Sequence, residues 1–151
     1  MASAGPRALL RSPPVSDYTI LRAADPPDYT GDAPGAFLGY GRPMGAEQIA
    51  LNVRVLAPHT THAPPGADPT MGHSHRTIEE IYFVLDGELT MKLDDDVVQL
   101  GPRDAVLIPA ATTRAVRNDT DEEAAFALFS VKVEDIRAES VPHEAFWPDA
   151  G

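Results

Sequence analysis

The sequence predicts an all-β protein, and three observations carry that reading. Apolar residues recur with period two over short runs, as in Ile49, Leu51, Val53 and Val55. These runs are separated by turn residues at intervals of roughly 8–12 positions, the spacing of an antiparallel sandwich or barrel. The third is punctuation: the chain carries 15 prolines and 11 glycines, which leave little room for sustained helix.

Taken in order, residues 1–46 form a Pro-rich N-terminal arm holding Pro6, Pro13, Pro14, Pro26, Pro27, Pro34 and Pro43. Within it the segments Tyr18–Arg22 and Ala36–Tyr40 are expected as short strands, and the first dozen residues as a loose end. From residue 47 the strand pattern is continuous. Gln48–Leu56 alternates, with Asn52 and Arg54 on its polar side, a side expected to face water. A loop over 59–72 follows. Strands are then expected at Ile78–Leu85, at Glu88–Leu93 and Val97–Leu100 as a hairpin around Asp94–Asp96, and at Ala105–Ile108, which Pro109 stops. Arg114–Asn118 and Ala124–Val133 complete the set. A turn or two of helix is expected near Asp135–Ser140 in a C-terminal tail, residues 134–151. One barrel over residues 47–133 uses most of the 151-residue chain, a length suited to a single core.

Composition removes several functions. There is no cysteine, hence no disulfide, thiolate metal site or thiol catalysis. A net charge of −11 argues against nucleic acid as a partner, because nothing concentrates cations to neutralise phosphates. The longest apolar run, Ile81–Leu85, is far too short to span a membrane. The opening residues lack the apolar core of a secretion signal, so a cytoplasmic location is expected. The acidic runs at Asp94–Asp96 and Asp119–Glu123 read as solvated turns without EF-hand spacing.

The chemistry concentrates at His73-Ser74-His75 followed by Glu80. On a strand His73 and His75 point to one side. With a turn at Arg76-Thr77 resetting the parity, Glu80, Tyr82 and Val84 share the inner face and Ile81, Phe83 and Leu85 the outer one. Two imidazoles and a carboxylate converging in a barrel form a facial triad for a divalent ion with open positions. Solvated histidines beside an exposed Glu79-Glu80 pair are the plainer alternative. His59 and His62 are expected to be solvated loop residues. Trp147 is expected to pack on the barrel or on a second subunit. Tyr82 is either a hydrogen-bond donor to substrate or a core aromatic.

Two spaced motifs carry a resemblance. His73-x-His75-x4-Glu80-x6-Gly87 resembles the first motif of the cupin superfamily, and Asp104-x4-Pro109-x-Ala111-x2-Arg114-x3-Asn118 its second. The likeness covers residues 48–131. It implies a double-stranded β-helix, the small jelly-roll barrel of single-domain cupins, with the site in its mouth and commonly a homodimer. It places His73, His75 and Glu80 at three metal-ligand positions, Gly87 at a tight turn, and Pro109 and Asn118 in the framework. Two departures stand out. Gly66 is one residue out of step with the glycine expected ahead of the first histidine. The fourth ligand position, normally histidine, is Arg114, which has no lone pair to offer.

A dication and a guanidinium about 6 Å apart repel by roughly 5 kcal/mol at an effective dielectric near 20. Arg114 must therefore swing away, share an anion with the metal, or pair with Glu80 in a metal-free pocket. The expected function is a small monocupin binding or acting on a small anionic or oxygenated molecule through a divalent metal (Mn, Fe, Ni or Zn). Arg114 and Tyr82 are the residues expected to meet that molecule. Oxygenase, isomerase and lyase chemistry all fit. A metal-free ligand-binding or sensory protein, or a metal-free isomerase or cyclase, is the alternative, with Arg114 and Glu80 orienting the ligand.

Overall fold

The computed structural model describes residues 17–63 and 66–148; the expected loose end of the arm lies outside them. Ten strands and one short helix follow one another: β1 (Ala36–Gly39), β2 (Ile49–Leu56), β3 (Gly72–His75), β4 (Glu80–Asp86), β5 (Leu89–Leu93), β6 (Asp96–Leu100), β7 (Ala105–Ile108), β8 (Arg114–Arg117), β9 (Ala124–Val131), α1 (Ile136–Glu139) and β10 (Ser140–His143). They form two five-stranded sheets, β1-β2-β9-β4-β7 and β10-β3-β8-β5-β6, and every pairing is antiparallel. The all-β class and the two-sheet jelly roll are thus as expected.

The core lies between the sheets, where Leu56, Tyr82, Val84, Ile108, Phe126 and Leu128 meet Leu89, Met91 and Val116. In β4 the alternation holds as read from the sequence: Glu80, Tyr82 and Val84 are buried, and Ile81 and Leu85 are exposed. Gly87 follows with φ +71°, and a Cβ there would lie 2.6 Å from the Glu123 carbonyl oxygen, so only glycine makes this turn without strain. Asn118 is fully buried and ties the ends of two loops, its amide donating to the carbonyls of Leu56, Ala57 and Glu122. Asp94 closes the β5–β6 turn and accepts from the Thr113 amide.

Two expectations fail here, and one element was not expected. Tyr18–Arg22 is not a strand; Tyr18 and Ile20 are exposed and the chain turns back at Arg22 through the Asp25 amide. Without a neighbouring strand edge, local β propensity has nothing to pair with. The polar side of β2 does not face water. Arg54 is only 5% exposed and Leu56 is in the core, while Ile49 on the apolar side is exposed. The outer face of this sheet is itself apolar, with Ile49, Ile81, Leu107, Phe129 and Val131 between 42% and 64% exposed. Alternation therefore located the two faces of β2 without showing which one turns inward. Finally, the tail holds a strand not foreseen: β10 pairs with β3, Ser140 opposite His75 and His143 opposite Gly72. Among the described residues no helix is long and apolar enough to cross a membrane.

Candidate metal and ligand site

The two sheets contribute opposite halves of one cluster. His73 and His75 come from β3, Arg114 from the neighbouring β8 where it stands opposite His73 in register, and Glu80 and Tyr82 from β4 in the other sheet. Between β3 and β4 the chain must cross from one sheet to the other within Arg76–Glu79. Glu139, the last residue of α1, holds that crossing in place. Its Oε1 accepts from the amides of Thr77 and Ile78 and from the Thr77 hydroxyl. Its backbone carbonyl accepts from the Arg76 amide. Asp135 caps α1, its carboxylate accepting from Arg137 and Ala138. On the inner side the His75 amide donates to the Ala110 carbonyl at 2.8 Å.

One ligand atom each from His73, His75 and Glu80 lies within 4.8 Å of the others. The sequence-derived triad is thereby brought together in space. Glu80 Oε2 is crowded: Arg114 Nη2 donates to it at 2.9 Å and the Tyr82 hydroxyl at 3.1 Å. His75 Nε2 lies 3.2 Å away, yet it is buried without a hydrogen-bond partner, because the contact lacks hydrogen-bond geometry. Arg114 is fully buried, and its Nη1 donates to the Thr112 carbonyl at 2.9 Å. Of the three arrangements open to Arg114, the structure adopts the pairing with Glu80.

The electrostatics follow from burial and this pairing. Burial alone would raise the Glu80 pKa, but the contacts of His75 and Arg114 reverse it and hold the carboxyl down to about 2. Burial, followed by the Arg114 charge, depresses His73 to about 4, so its imidazole is neutral and its lone pair available. Burial and the Glu80 charge push the Tyr82 hydroxyl well above the ordinary phenol range. Tyr82 therefore keeps its proton and points it at Glu80.

The sequence reading missed one member of this interior. His59 is exposed and paired with Asp121 at 2.7 Å, as a loop histidine would be. His62, expected to be equally solvated, instead turns inward. Its ring centre lies 5.5 Å from that of Phe126, 5.9 Å from Phe37, 6.4 Å from Tyr82 and 6.5 Å from His73. The loop is pinned beside β8 by the His62 amide donating to the Val116 carbonyl and by a bridge between Thr61 and Arg117. No local pattern signals such a contact, since the β8 backbone that pins the loop lies more than fifty positions away and the rings around His62 come from separate strands. On the outside, Trp147 packs on the barrel under the Arg117 guanidinium, 3.6 Å from the ring centre.

The chemistry of the donor set fits a divalent ion: two imidazoles, at least one carboxylate oxygen and a buried, unpartnered His75 nitrogen. The Arg114 contact occupies Oε2 only.

Comparison with known proteins agrees with this architecture. Residues 59–131 match the family model described as the cupin domain. Over 54 residues the chain is 35% identical to an uncharacterized protein of Methanocaldococcus jannaschii, a match covering 36% of this chain and 43% of that protein. It therefore spans less than half of the relative's length. A cupin protein from Bacteroides fragilis superposes with a TM-score of 0.61 at 19% identity, over 80% of this chain and 89% of that one. A sugar phosphate isomerase of the cupin superfamily from Silicibacter pomeroyi gives 0.60 at 20% identity, over 76% and 66%. At these identities the likeness is one of fold.

Proposed function

The chain belongs to the cupin superfamily, and from that premise we propose that it binds a divalent metal through His73, His75 and Glu80 and uses it to hold a small anionic, oxygen-bearing molecule. The observation that carries the reading is the convergence of three ligand atoms within 4.8 Å, with His75 Nε2 buried 3.2 Å from Glu80 Oε2 and not hydrogen-bonded. Bound there, the metal would supply Lewis acidity toward a ligand oxygen.

The other residues set the charge and the protons around it. Arg114 holds Glu80 ionised and fixed through the contact between Nη2 and Oε2. Tyr82 keeps its proton directed at the same oxygen. A dication plus the Arg114 guanidinium outweighs the single Glu80 carboxylate, so the loaded interior is positive and selects an anion. A phosphorylated sugar, the class named for the Silicibacter pomeroyi protein, has that charge. The apolar outer face built by Ile49, Ile81, Leu107, Phe129 and Val131 is uncharged, as interface cores are, and would be covered by a second copy in the expected homodimer.

A metal-free ligand-binding protein is the second reading, favoured by the 2.9 Å Arg114–Glu80 pair. Elemental analysis of untagged protein, alongside His75→Ala, separates the two. Stoichiometric metal in the unaltered chain and its loss in the variant support the metal site. No uptake of Mn, Fe, Ni or Zn by either protein eliminates it.

A further inference from the structure

Among the described residues His62 is a histidine of the barrel interior to which the metal reading assigns no task; the other buried group without one, Arg54, already donates to the Ala36 and Val55 carbonyls. Its ring sits in a box with three aromatic walls, Phe37, Tyr82 and Phe126, and its fourth neighbour is His73 of the triad. Nδ1 is buried and has no hydrogen-bond partner. A buried nitrogen without a partner costs the fold stability, and such atoms in native interiors call for a reason. A phenyl ring would fill the same aromatic box at no such cost.

Distance shows what the imidazole can and cannot do. With metal–nitrogen bonds of about 2.1 Å, two histidine rings on one ion have centres about 5 Å apart. His73 and His75 meet this at 5.2 Å. His62 lies 6.5 Å from His73, wider than adjacent ligands on one ion and a separation that one intervening oxygen can bridge. It is also not a member of the group whose ligand atoms converge.

We propose that His62 is a ligand-positioning residue: its imidazole donates a hydrogen bond from Nδ1 to an oxygen of the anionic molecule held at His73, His75 and Glu80. The inference rests on the metal reading and adds a second anchor to it. One oxygen of a carboxylate or similar group sits on the metal side, and another meets a neutral donor carried by the loop beside β8. Selectivity follows, because a ligand with only one oxygen atom leaves Nδ1 unmet.

The test uses the full chain loaded with Co(II), with acetate as the probe and visible absorption as the readout. His62→Phe is expected to bind Co(II) within twofold of the unaltered protein and acetate at least tenfold more weakly. The apo form of this variant should unfold at the same or a higher temperature. His62→Gln, which restores a side-chain N–H, should recover most of the acetate affinity, a rescue that mere packing would not produce. Acetate binding by His62→Phe within twofold of the original overturns the proposal. So does a tenfold loss of Co(II) affinity in that variant, which would make His62 a metal ligand. If the unaltered protein takes up no Co(II), or His75→Ala takes it up equally well, the metal reading itself fails and this contact falls with it.

Discussion

Replacing Arg114 with methionine tests the electrostatic account of the site most directly. Arg114 is fully buried, Glu80 is 8% exposed, and their charged atoms are 2.9 Å apart. Methionine fills much of the same volume but leaves the Glu80 carboxylate without its cation and the Thr112 carbonyl without its donor. Breaking a buried pair from one side costs about 3–5 kcal/mol. At about 2–4 °C per kcal/mol for a chain of this size, the thermal midpoint should drop by roughly 6–20 °C. Two controls identify the cause. Adding Glu80→Gln removes the stranded charge and should return much of the loss, giving a coupling energy above about 1 kcal/mol in the double-mutant cycle. Metal should also substitute for the guanidinium: Zn at about a hundred times its dissociation constant stabilises by about 2.7 kcal/mol, and its affinity should be higher in Arg114→Met, where the repulsion is gone. Urea unfolding with and without Zn measures each quantity. A single variant within about 0.5 kcal/mol of the unaltered protein, a range typical of harmless surface changes, would refute the buried pairing. An unfolding curve that Zn does not move would refute the metal site.

Acid should weaken the fold through its histidines before its carboxylates. Burial first, with nearby positive charge, holds His62 down to about 3 and His73 to about 4, against 6.5 in an unfolded chain. As pH falls below 6.5 the unfolded state takes up these protons first, so each histidine costs the native state about 2 kcal/mol by pH 5. Glu80 acts lower: its stabilisation, from a carboxyl held at about 2 instead of 4.5, is intact at pH 5 and disappears as pH falls through about 2. Urea midpoints at pH 7.5 and 5.0 in the presence of a chelator should show His62→Phe losing about half as much stability as the unaltered chain; an equal loss contradicts the assignment. Glu139→Ala removes the acceptor for Thr77 and Ile78 and should lower metal affinity about tenfold, as outer contacts of metal sites do; unchanged affinity in a Co(II) titration would show that the crossing is held by something else. Gly87→Ala forces a side chain into φ +71° and onto the Glu123 carbonyl, and should cost at least about 1–3 kcal/mol by urea unfolding. Phe129→Asp together with Ile81→Asp should leave the protein monomeric in sedimentation without unfolding it; if the unaltered chain is also a monomer, the apolar face is not a dimer interface.

The legible parts of this protein are those that short-range rules control. Parity in β4 put Glu80 and Tyr82 inside, and spacing in β3 put His73 beside His75, because strand geometry repeats every two residues regardless of what packs around it. Gly87 was legible for the same local reason. Arg54 was not: β2 alternates cleanly, but the sheet hides its Arg54 side and leaves Ile49 exposed, a choice made by the opposite sheet. His62 was not legible either, since the Val116 carbonyl that holds its backbone and the aromatic box around its ring come from four other strands. Arg114 could be recognised as the wrong residue for a ligand, yet its resolution onto Glu80 depends on a contact between residues 34 positions apart.

The histidine strand is bordered by the latest part of the chain. On one edge β3 meets β8 and on the other β10, so His73 and His75 acquire their second neighbour only when Ser140–His143 is in place. During synthesis, when the chain grows by roughly 5–20 residues per second, the first sheet can pair as soon as β9 has emerged, while the two imidazoles still sit on an open edge. Phe146, further along the same tail, occupies the space a side chain at Gly72 would need. A nascent chain can thus pair its first sheet before its histidine strand is bordered on both edges, and the last dozen described residues decide when His73 and His75 leave an open strand edge.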